Sequence, residues 1–381
     1  MTILKVDTVS GIGTEGTVLD GDVTFDSLNY MTLPKGTTTQ SNAVSSGISS
    51  VTGAIRYNTD SNKMECFDGT KWMQVAVSEA TPIAGRAAWG GGMTPTLINA
   101  IEYISIATGG NATDFGDLTV ARSTYGSFAS RTRGVFGSGR STQPNVETNT
   151  LDYITFATQG NATDFGDAIT PNDASWEYQD SGCVGSNVRG LVAGGSAPAG
   201  GSITYWTIAS TGNGIDFGDL TSALEEPFGL SNATRALFGG DSPSASNLIN
   251  YVTIASTGNA VDFGDNVQAV VDAGGAQTAT RGFIIGSYAH PTYLNNIQYV
   301  TIATTGNSQD FGDMFTATLP NAASAPTRIC YTGCRYPSSD YEDHPQIEMF
   351  NPVHQGNAID FGDISNPAAF KAGISNAHGG L

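Results

Sequence analysis

The tetrapeptide "DFGD" begins at Asp114, Asp164, Asp216, Asp262, Asp310 and Asp360, with successive steps of 50, 52, 46, 48 and 50 residues. A chain that repeats at such a period builds one supersecondary unit over and over, and each unit buries its apolar face against the next. Ahead of five copies run "IEYISIAT", "LDYITFAT", "ITYWTIAS", "INYVTIAS" and "IQYVTIAT", whose period of two is that of a half-buried strand. A "TGN" or "QGN" between this strand and DFGD supplies the residues that tolerate positive φ in a hairpin. A second recurring stretch reads "TRGVFGSG", "VRGLVAGG", "TRALFGG", "TRGFIIGS" and "TRICYTG", with "GRAAWGGG" ahead of the first. Each repeat therefore reads as four short antiparallel strands, for example around "STYGSFAS", "TRGVFGSG", "LDYITFAT" and DFGD, and the fold class is all-β. The sixth copy, "IEMFNPVHQGNAIDFGD", carries Pro352, which lacks a ladder donor, and Met349 in the place of Tyr103, Tyr153, Tyr205, Tyr251 and Tyr299. Its strand is expected to be short or peripheral.

A four-stranded unit of about 50 residues has the size of a kelch blade, and residues 83 to 381 resemble the kelch family in order: an Arg-containing strand, a strand ending in glycine, a tyrosine-bearing strand, then an aromatic. Phe115, Phe165, Phe217, Phe263, Phe311 and Phe361 stand where kelch repeats usually carry Trp. Arg86, Arg133, Arg189, Arg235, Arg281 and Arg328 recur once per unit; five follow a DFGD, and Arg86 follows none. After the sixth DFGD, "ISNPAAFKAGISNAHGGL" continues far enough for one more first strand. The piece missing at one end is present at the other. The expected architecture is a six-bladed kelch-like β-propeller over residues 81–381, completed by a C-terminal strand that joins the sheet containing Trp89, with only short protected edges.

Sixteen Lys and Arg against 35 Asp and Glu give a formal charge of -19, which repels polyphosphate, so no nucleic-acid partner is expected. No stretch is apolar enough to span a bilayer, and "MTILKVDTVSGIG" lacks the basic and apolar regions of a secretory signal. Neither membrane insertion nor a secretory address is expected. Cys66, Cys183, Cys330 and Cys334 are too few for a disulfide scaffold, and "CYTGC" is one residue too wide for CxxC, so the thiols read as packing groups.

DFGD offers two carboxylates split by an apolar ring, whereas a calcium loop gathers 6 to 8 oxygens. The structural reading is that Asp and Asn oxygens accept from turn amides, Gly allows the bend and Phe fills the space between blades. Asp117, Asp167, Asp219, Asp265, Asp313 and Asp363 are accordingly read as repeat residues, and the six arginines are expected to pair with DFGD carboxylates across blade boundaries. No metal or cofactor is expected. His290, His344, His354 and His378 are not paired at metal spacing, the Asp-box of sialidases is missing, and no GxSxG, HExxH, Walker or kinase segment accompanies the DFG. The chain is read as a non-enzyme.

In an up-and-down blade the loops after the second and fourth strands leave on one face. The interval from Asp167 to Arg189 is lengthened to 22 residues, against 16 from Asp219 to Arg235, by "PNDASWEYQDSG" with Trp176 and Tyr178. The other unusual loop, "CRYPSSDYEDHPQ", carries Tyr336, Asp340, Tyr341, Glu342 and His344. Aromatics beside carboxylates suit sugars, whose apolar faces stack on rings while acids accept hydroxyl bonds. These residues are the candidate ligand site.

Residues 1–80 differ in composition. "LPKGTTTQ" followed by "GAIRYNTDSNKMECFDGTKWMQV" resembles, over about residues 31 to 76, a segment of bacteriophage tail fibres and other virion appendages whose usual form is LPxGTTAQR…GxIRYNTxxxxFExYxGxxW. Ser41 replaces the family's Arg. "GAIRYNT" and "KMECFDG" alternate as two strands, with Trp72 anchoring a third. A thin strand-rich piece buries too little area alone, so residues 1–30 are expected to attach to the virion or oligomerise, with residues 31–80 a small β module. The resemblance implies a virion structural protein, attached through its N-terminal segment to other tail or capsid proteins. It also implies a homo-oligomer, with a trimer favoured, that recognises a host-surface glycan or protein through the propeller. The competing reading is a capsid or tail decoration whose propeller docks on other virion proteins and meets no host ligand. A polysaccharide-degrading tailspike would need a carboxylate pair in a cleft, and the sequence assigns none.

Overall fold

The computed structural model describes residues 35–39, 53–61, 63–74, 85–124, 126–137, 139–142, 146–168, 182–195, 200–289, 292–335 and 342–381. It divides into two compact units, 1–80 and 81–381.

The larger unit is all-β and contains six four-stranded antiparallel sheets. Sheet 1 joins Ala372–Ser375, Arg86–Gly90, Ala100–Ser105 and Thr113–Asp117 as first to fourth strand. Sheet 2 joins Ser127–Ala129, Arg133–Phe136, Thr150–Thr155 and Thr163–Asp167; sheet 3 joins Gly182–Gly185, Arg189–Ala193, Ser202–Thr207 and Ile215–Asp219. Sheet 4 joins Phe228–Ser231, Arg235–Gly239, Ser246–Thr253 and Val261–Val270. Sheet 5 joins Gly274–Gln277, Arg281–Ala289, Thr292–Thr301 and Gln309–Asp313, and sheet 6 joins Leu319–Ser324, Ile329–Arg335, Glu342–Phe350 and Ile359–Asp363. Sheet 1 is assembled from both ends of the unit, with Gly373 opposite Trp89 and Ile374 opposite Ala88. First strands pack beside first strands in chain order, and Ala372–Ser375 packs beside both Leu319–Ser324 and Ser127–Ala129.

Cross-strand stacks explain the recurring letters. In sheets 1 to 5 the arginine of the second strand lies over the tyrosine of the third, at 4.3 Å in Arg133–Tyr153 and 5.1 Å in Arg281–Tyr299. That tyrosine meets the DFGD phenylalanine edge-on, as in Tyr103–Phe115 at 5.5 Å and 86°. Such diagonal and edge-to-face neighbours are the stabilising unit of a sheet. Sheet 6 lacks the tyrosine, and Arg328 lies over Phe361 instead, at 6.0 Å. Its third strand is nevertheless nine residues long and paired on both sides, contrary to the expectation of a short strand. The reason is positional: Pro352 falls beyond the strand end, and Pro345 falls where the register shifts between Tyr331 and Gly333, an irregularity at which a strand tolerates a missing donor.

The tail after Ser375 packs against sheets 2, 3 and 5. The Asn376 side-chain oxygen accepts from the Arg86 amide at 2.8 Å, and a Cβ on Gly380 would fall 1.8 Å from the Gly185 oxygen. His378 Nδ1 accepts from the Gly380 amide at 3.1 Å, so Nε2 carries the proton it donates to the Ala129 oxygen at 2.7 Å. The ring is neutral, and burial, assisted by Arg131, pushes its pKa down to about 4. Unfolded chain takes up a proton near the ordinary 6.5 while the fold resists until about 4, so the stabilisation is full above pH 6.5 and is lost as pH falls toward 4. Urea titrations should show His378→Gln losing less stability than the parent across that window, by about 3 kcal/mol. Parallel curves for the two proteins would refute the neutral buried imidazole.

The small unit orders Lys35–Gly36, Ile55–Asn58, Lys63–Phe67 and Trp72–Gln74 into one sheet, parallel at the first pair and antiparallel after it. Apart from Phe67, which packs against Trp72, its buried residues are polar. Arg56 pairs with Glu65 at 2.8 Å, and the Asn58 amide donates to the other Glu65 oxygen at 2.8 Å. Arg56 also lies over the Trp72 ring at 4.9 Å. Ile55 and Met73, on the opposite side, are 46% and 47% exposed. The Asp68 carboxylate, which accepts from the Thr70 and Lys71 amides and the Thr70 hydroxyl, is held down at about 2 by those bonds.

Candidate functional site

The repeat residues build the seams between sheets. At each seam the amide of the TGN or QGN glycine donates to the preceding DFGD phenylalanine carbonyl, as from Gly160 to Phe115 at 2.8 Å. The Asn161 side-chain oxygen accepts from the Asp117 amide at 3.1 Å, and the Ala162 amide donates to the Asp117 carbonyl at 2.7 Å. Asp167, Asp219, Asp265 and Asp313 repeat the asparagine contact with Asn213, Asn259, Asn307 and Asn357, and Asp363 makes it with Asn111. The outer strand is thereby bonded along its free side, which removes an edge that would otherwise template aggregation.

These contacts use the aspartate backbones. The arginines do not pair with DFGD carboxylates, as the spacing had led us to expect. Each donates to main-chain carbonyls of the next sheet instead: Arg133 to Ile208 at 2.9 Å, Arg189 to Ile254 at 2.9 Å, Arg235 to Ile302 and Ala303, Arg281 to Pro352 and Val353, Arg328 to Ile106 and Ala107, and Arg86 to Phe156. The physical reason is the ring beneath each guanidinium, a tyrosine in sheets 1 to 5 and Phe361 in sheet 6, which holds the fork at the third-strand turn, where unpaired carbonyls converge. The first aspartate of every DFGD is exposed. Among the described residues no group of three or more His, Cys, Asp or Glu could hold a metal.

A second row, which the sequence reading did not pick out, is the residue before the tyrosine: Glu102, Asp152, Thr204, Asn250, Gln298 and Glu348, all buried. Five of them accept from the segment that follows the preceding DFGD, as Asp152 does from the Thr119 amide and hydroxyl at 3.1 and 2.7 Å. Where the residue is acidic a buried partner faces it. Arg122 meets Asp152 at 2.9 Å, Lys371 meets Glu102 at 3.6 Å, and the Tyr331 hydroxyl donates to Glu348. Tyr331 is driven far above the usual phenol range by burial and by that carboxylate. The signal was the variable letter in "IEY", "LDY", "ITY", "INY", "IQY" and "IEM", a polar residue inside a strand whose neighbours are apolar.

Because each of the six sheets of the larger unit is antiparallel, the connections after second and fourth strands leave from the same end, opposite the arginine turns. Of the candidate ligand residues, Trp176, Tyr178, Tyr336, Asp340 and Tyr341 lie outside the described residues. Glu342 opens the third strand of sheet 6 opposite Arg335. His344 is half-buried and lines a small cavity with Tyr331 and Glu348. The same end carries aromatics that the sequence reading passed over: Tyr288 and Tyr293 face each other at 4.8 Å across a lengthened hairpin in sheet 5, and Phe315 is 68% exposed. The 18 residues from Arg281 to Tyr299, against 16 from Arg235 to Tyr251, could have marked that hairpin.

One carboxyl pair also lies at this end. Glu226 and Asp272, each two residues ahead of a first strand, adopt φ of 53° and 50° and are buried. Burial raises the Asp272 pKa, and a hydrogen bond to Glu226 opposes the rise. Carboxyls in hydrogen-bond contact leave no room for a sugar, since glycosidase pairs stand roughly 5 to 9.5 Å apart. Cys330 and Cys334 are buried, and burial pushes the Cys330 thiol up to about 12, which keeps it from acting as a nucleophile. The chain matches no protein-family model and no curated protein.

Proposed function

We propose that residues 81–381 form a six-bladed kelch-like propeller completed by Ala372–Ser375, and that the chain is a structural protein of a phage virion. In this reading it is a tail fibre or appendage whose loop face recognises a host-surface glycan during adsorption. The propeller reading is supported by seams of one design between successive sheets, the last running from Asp363 to Asn111. The observation that carries the virion reading is in the small unit. Arg56, Asn58, Glu65 and Trp72, letters of the fibre-type segment, belong to one polar network inside a sheet too small for an apolar core. The likeness thus covers a set of mutually dependent side chains. The exposed Ile55 and Met73 favour association of that unit with copies of itself or with other virion proteins.

Imaging an intact particle at a resolution that traces this chain tests the reading, together with an array of host glycans probed with the whole protein. A loop face directed outward, with glycan signal reduced when Tyr288 and Phe315 are replaced by Ala, supports adsorption. A loop face seated on another virion protein and a silent array would replace recognition with an architectural role. Absence of the chain from particles would overturn both.

A further inference from the structure

The first strands of all six sheets line one cavity of about 90 Å³. One end is bordered by Gly126, Pro227 and Ala273, where the connections from the fourth strands arrive. At the other lie Gln277, Ser324, Ser375 and His378. His378 has both ring nitrogens committed, to Ala129 and Gly380, so it forms wall and offers no free donor.

Two side chains in this lining have no hydrogen-bond partner among the described residues. Gln277 and Asn321 are each 9% exposed, and they stand on neighbouring first strands. Their recorded hydrogen bonds are main-chain: the Gln277 amide donates to the Ser324 hydroxyl at 2.9 Å, and the Asn321 carbonyl accepts from Trp89 Nε1 at 2.9 Å. Burying an amide without a partner is destabilising. Their polar atoms nevertheless retain access to the cavity they border. Ser324 and Ser375 act only as acceptors in their recorded bonds, from the amides of Gln277 and Ala377, so each hydroxyl keeps a proton to donate.

We propose that this cavity is a binding site for a small neutral polyhydroxylated ligand, held by the Gln277 and Asn321 amides and the Ser324 and Ser375 hydroxyls. Neutrality follows from the lining, whose described residues include no Asp, Glu, Lys or Arg. An anion would find no cation and would approach a chain of charge -19, and a cation would find no carboxylate to replace its water. Amides and hydroxyls that both donate and accept match vicinal hydroxyl groups, which do the same. The volume takes about three waters' share of liquid, the scale of a three-carbon polyol. The proposal does not depend on which way the loop face points in a particle.

Saturation-transfer NMR on the whole chain tests it, with glycerol as probe and lactate as the charged control of similar size. Glycerol should give at least fivefold more transfer than lactate, and Asn321→Leu and Gln277→Leu should each lower it at least fivefold while keeping the parent's far-ultraviolet circular dichroism. Since either variant could misfold, glycerol-soaked crystals of the parent supply the second measurement, with density expected in contact with both amides. Equal transfer from glycerol and lactate, transfer unchanged in folded variants, or density for ordered water only or an adventitious additive only elsewhere on the surface would overturn the assignment.

Discussion

Replacing Gly116 with Ala is expected to destabilise the larger unit by about 4 kcal/mol, out of roughly 5–15 available to a domain. Two causes add. Gly116 sits at φ 145°, a conformation that costs other residues about 1–3 kcal/mol, and its Cβ would fall 2.4 Å from the Gly160 oxygen on the neighbouring sheet. Relief of that clash must stretch the bonds from Gly160 to Phe115 and from Ala162 to Asp117, and forcing atoms into a packed seam costs about 1–3 kcal/mol more. Gly160 separates the two causes. It has a similar φ of 151°, but nothing lies within 4 Å of where its Cβ would be, so Gly160→Ala carries the backbone strain alone and should lose only about 1–3 kcal/mol. Urea unfolding monitored by Trp fluorescence reads both. Equal losses would mean that the close approach of the two glycines does not hold the seam.

That seam also shows how far the letters could be read. The four-strand unit, the phenylalanine packing and the glycine turns follow from spacing and alternation, because each is dictated by residues adjacent in sequence. The pairing of Ala372–Ser375 with Arg86–Gly90 was legible from counting arginines against DFGD copies. What failed was the choice of acceptor for the arginines. Charge complementarity pointed to the nearest recurring acid, but the winning acceptors are backbone carbonyls, which every residue carries and no sequence pattern displays. Buried row residues such as Asp152 and Glu102 were hidden for a related reason, since their partners Arg122 and Lys371 come from irregular turns outside the repeat. The large loops chosen as ligand candidates were the places where the repeat breaks, while Tyr288, Tyr293 and Phe315 sit where it is only lengthened or left intact.

The Arg122–Asp152 pair yields the second large effect, and the chain supplies its own control. Both side chains are 0% exposed, and the remaining guanidinium bonds, to Gly137 and Phe136 carbonyls, are long at 3.4 and 3.5 Å. Burial already lowers the Arg122 pKa, opposed by the Asp152 charge. Asp152→Asn should therefore cost about 3–5 kcal/mol by leaving a buried cation uncompensated, and Arg122→Leu about the same by leaving the carboxylate. One seam further on but one, between sheets 3 and 4, Leu224 holds the position of Arg122 and Asn250 that of Asp152. The backbone there is the same: the Leu224 amide donates to Gly200 as the Arg122 amide does to Ile98, and Thr221 caps onto Asn250 as Thr119 does onto Asp152. Arg122→Leu combined with Asp152→Asn reproduces that native arrangement, so the double variant should lie within about 1 kcal/mol of the parent, with a coupling energy of several kcal/mol between the sites. Additive losses in the cycle would show that the ion pair is not the unit of stabilisation, and that the turn carrying Arg122 requires the cation for itself.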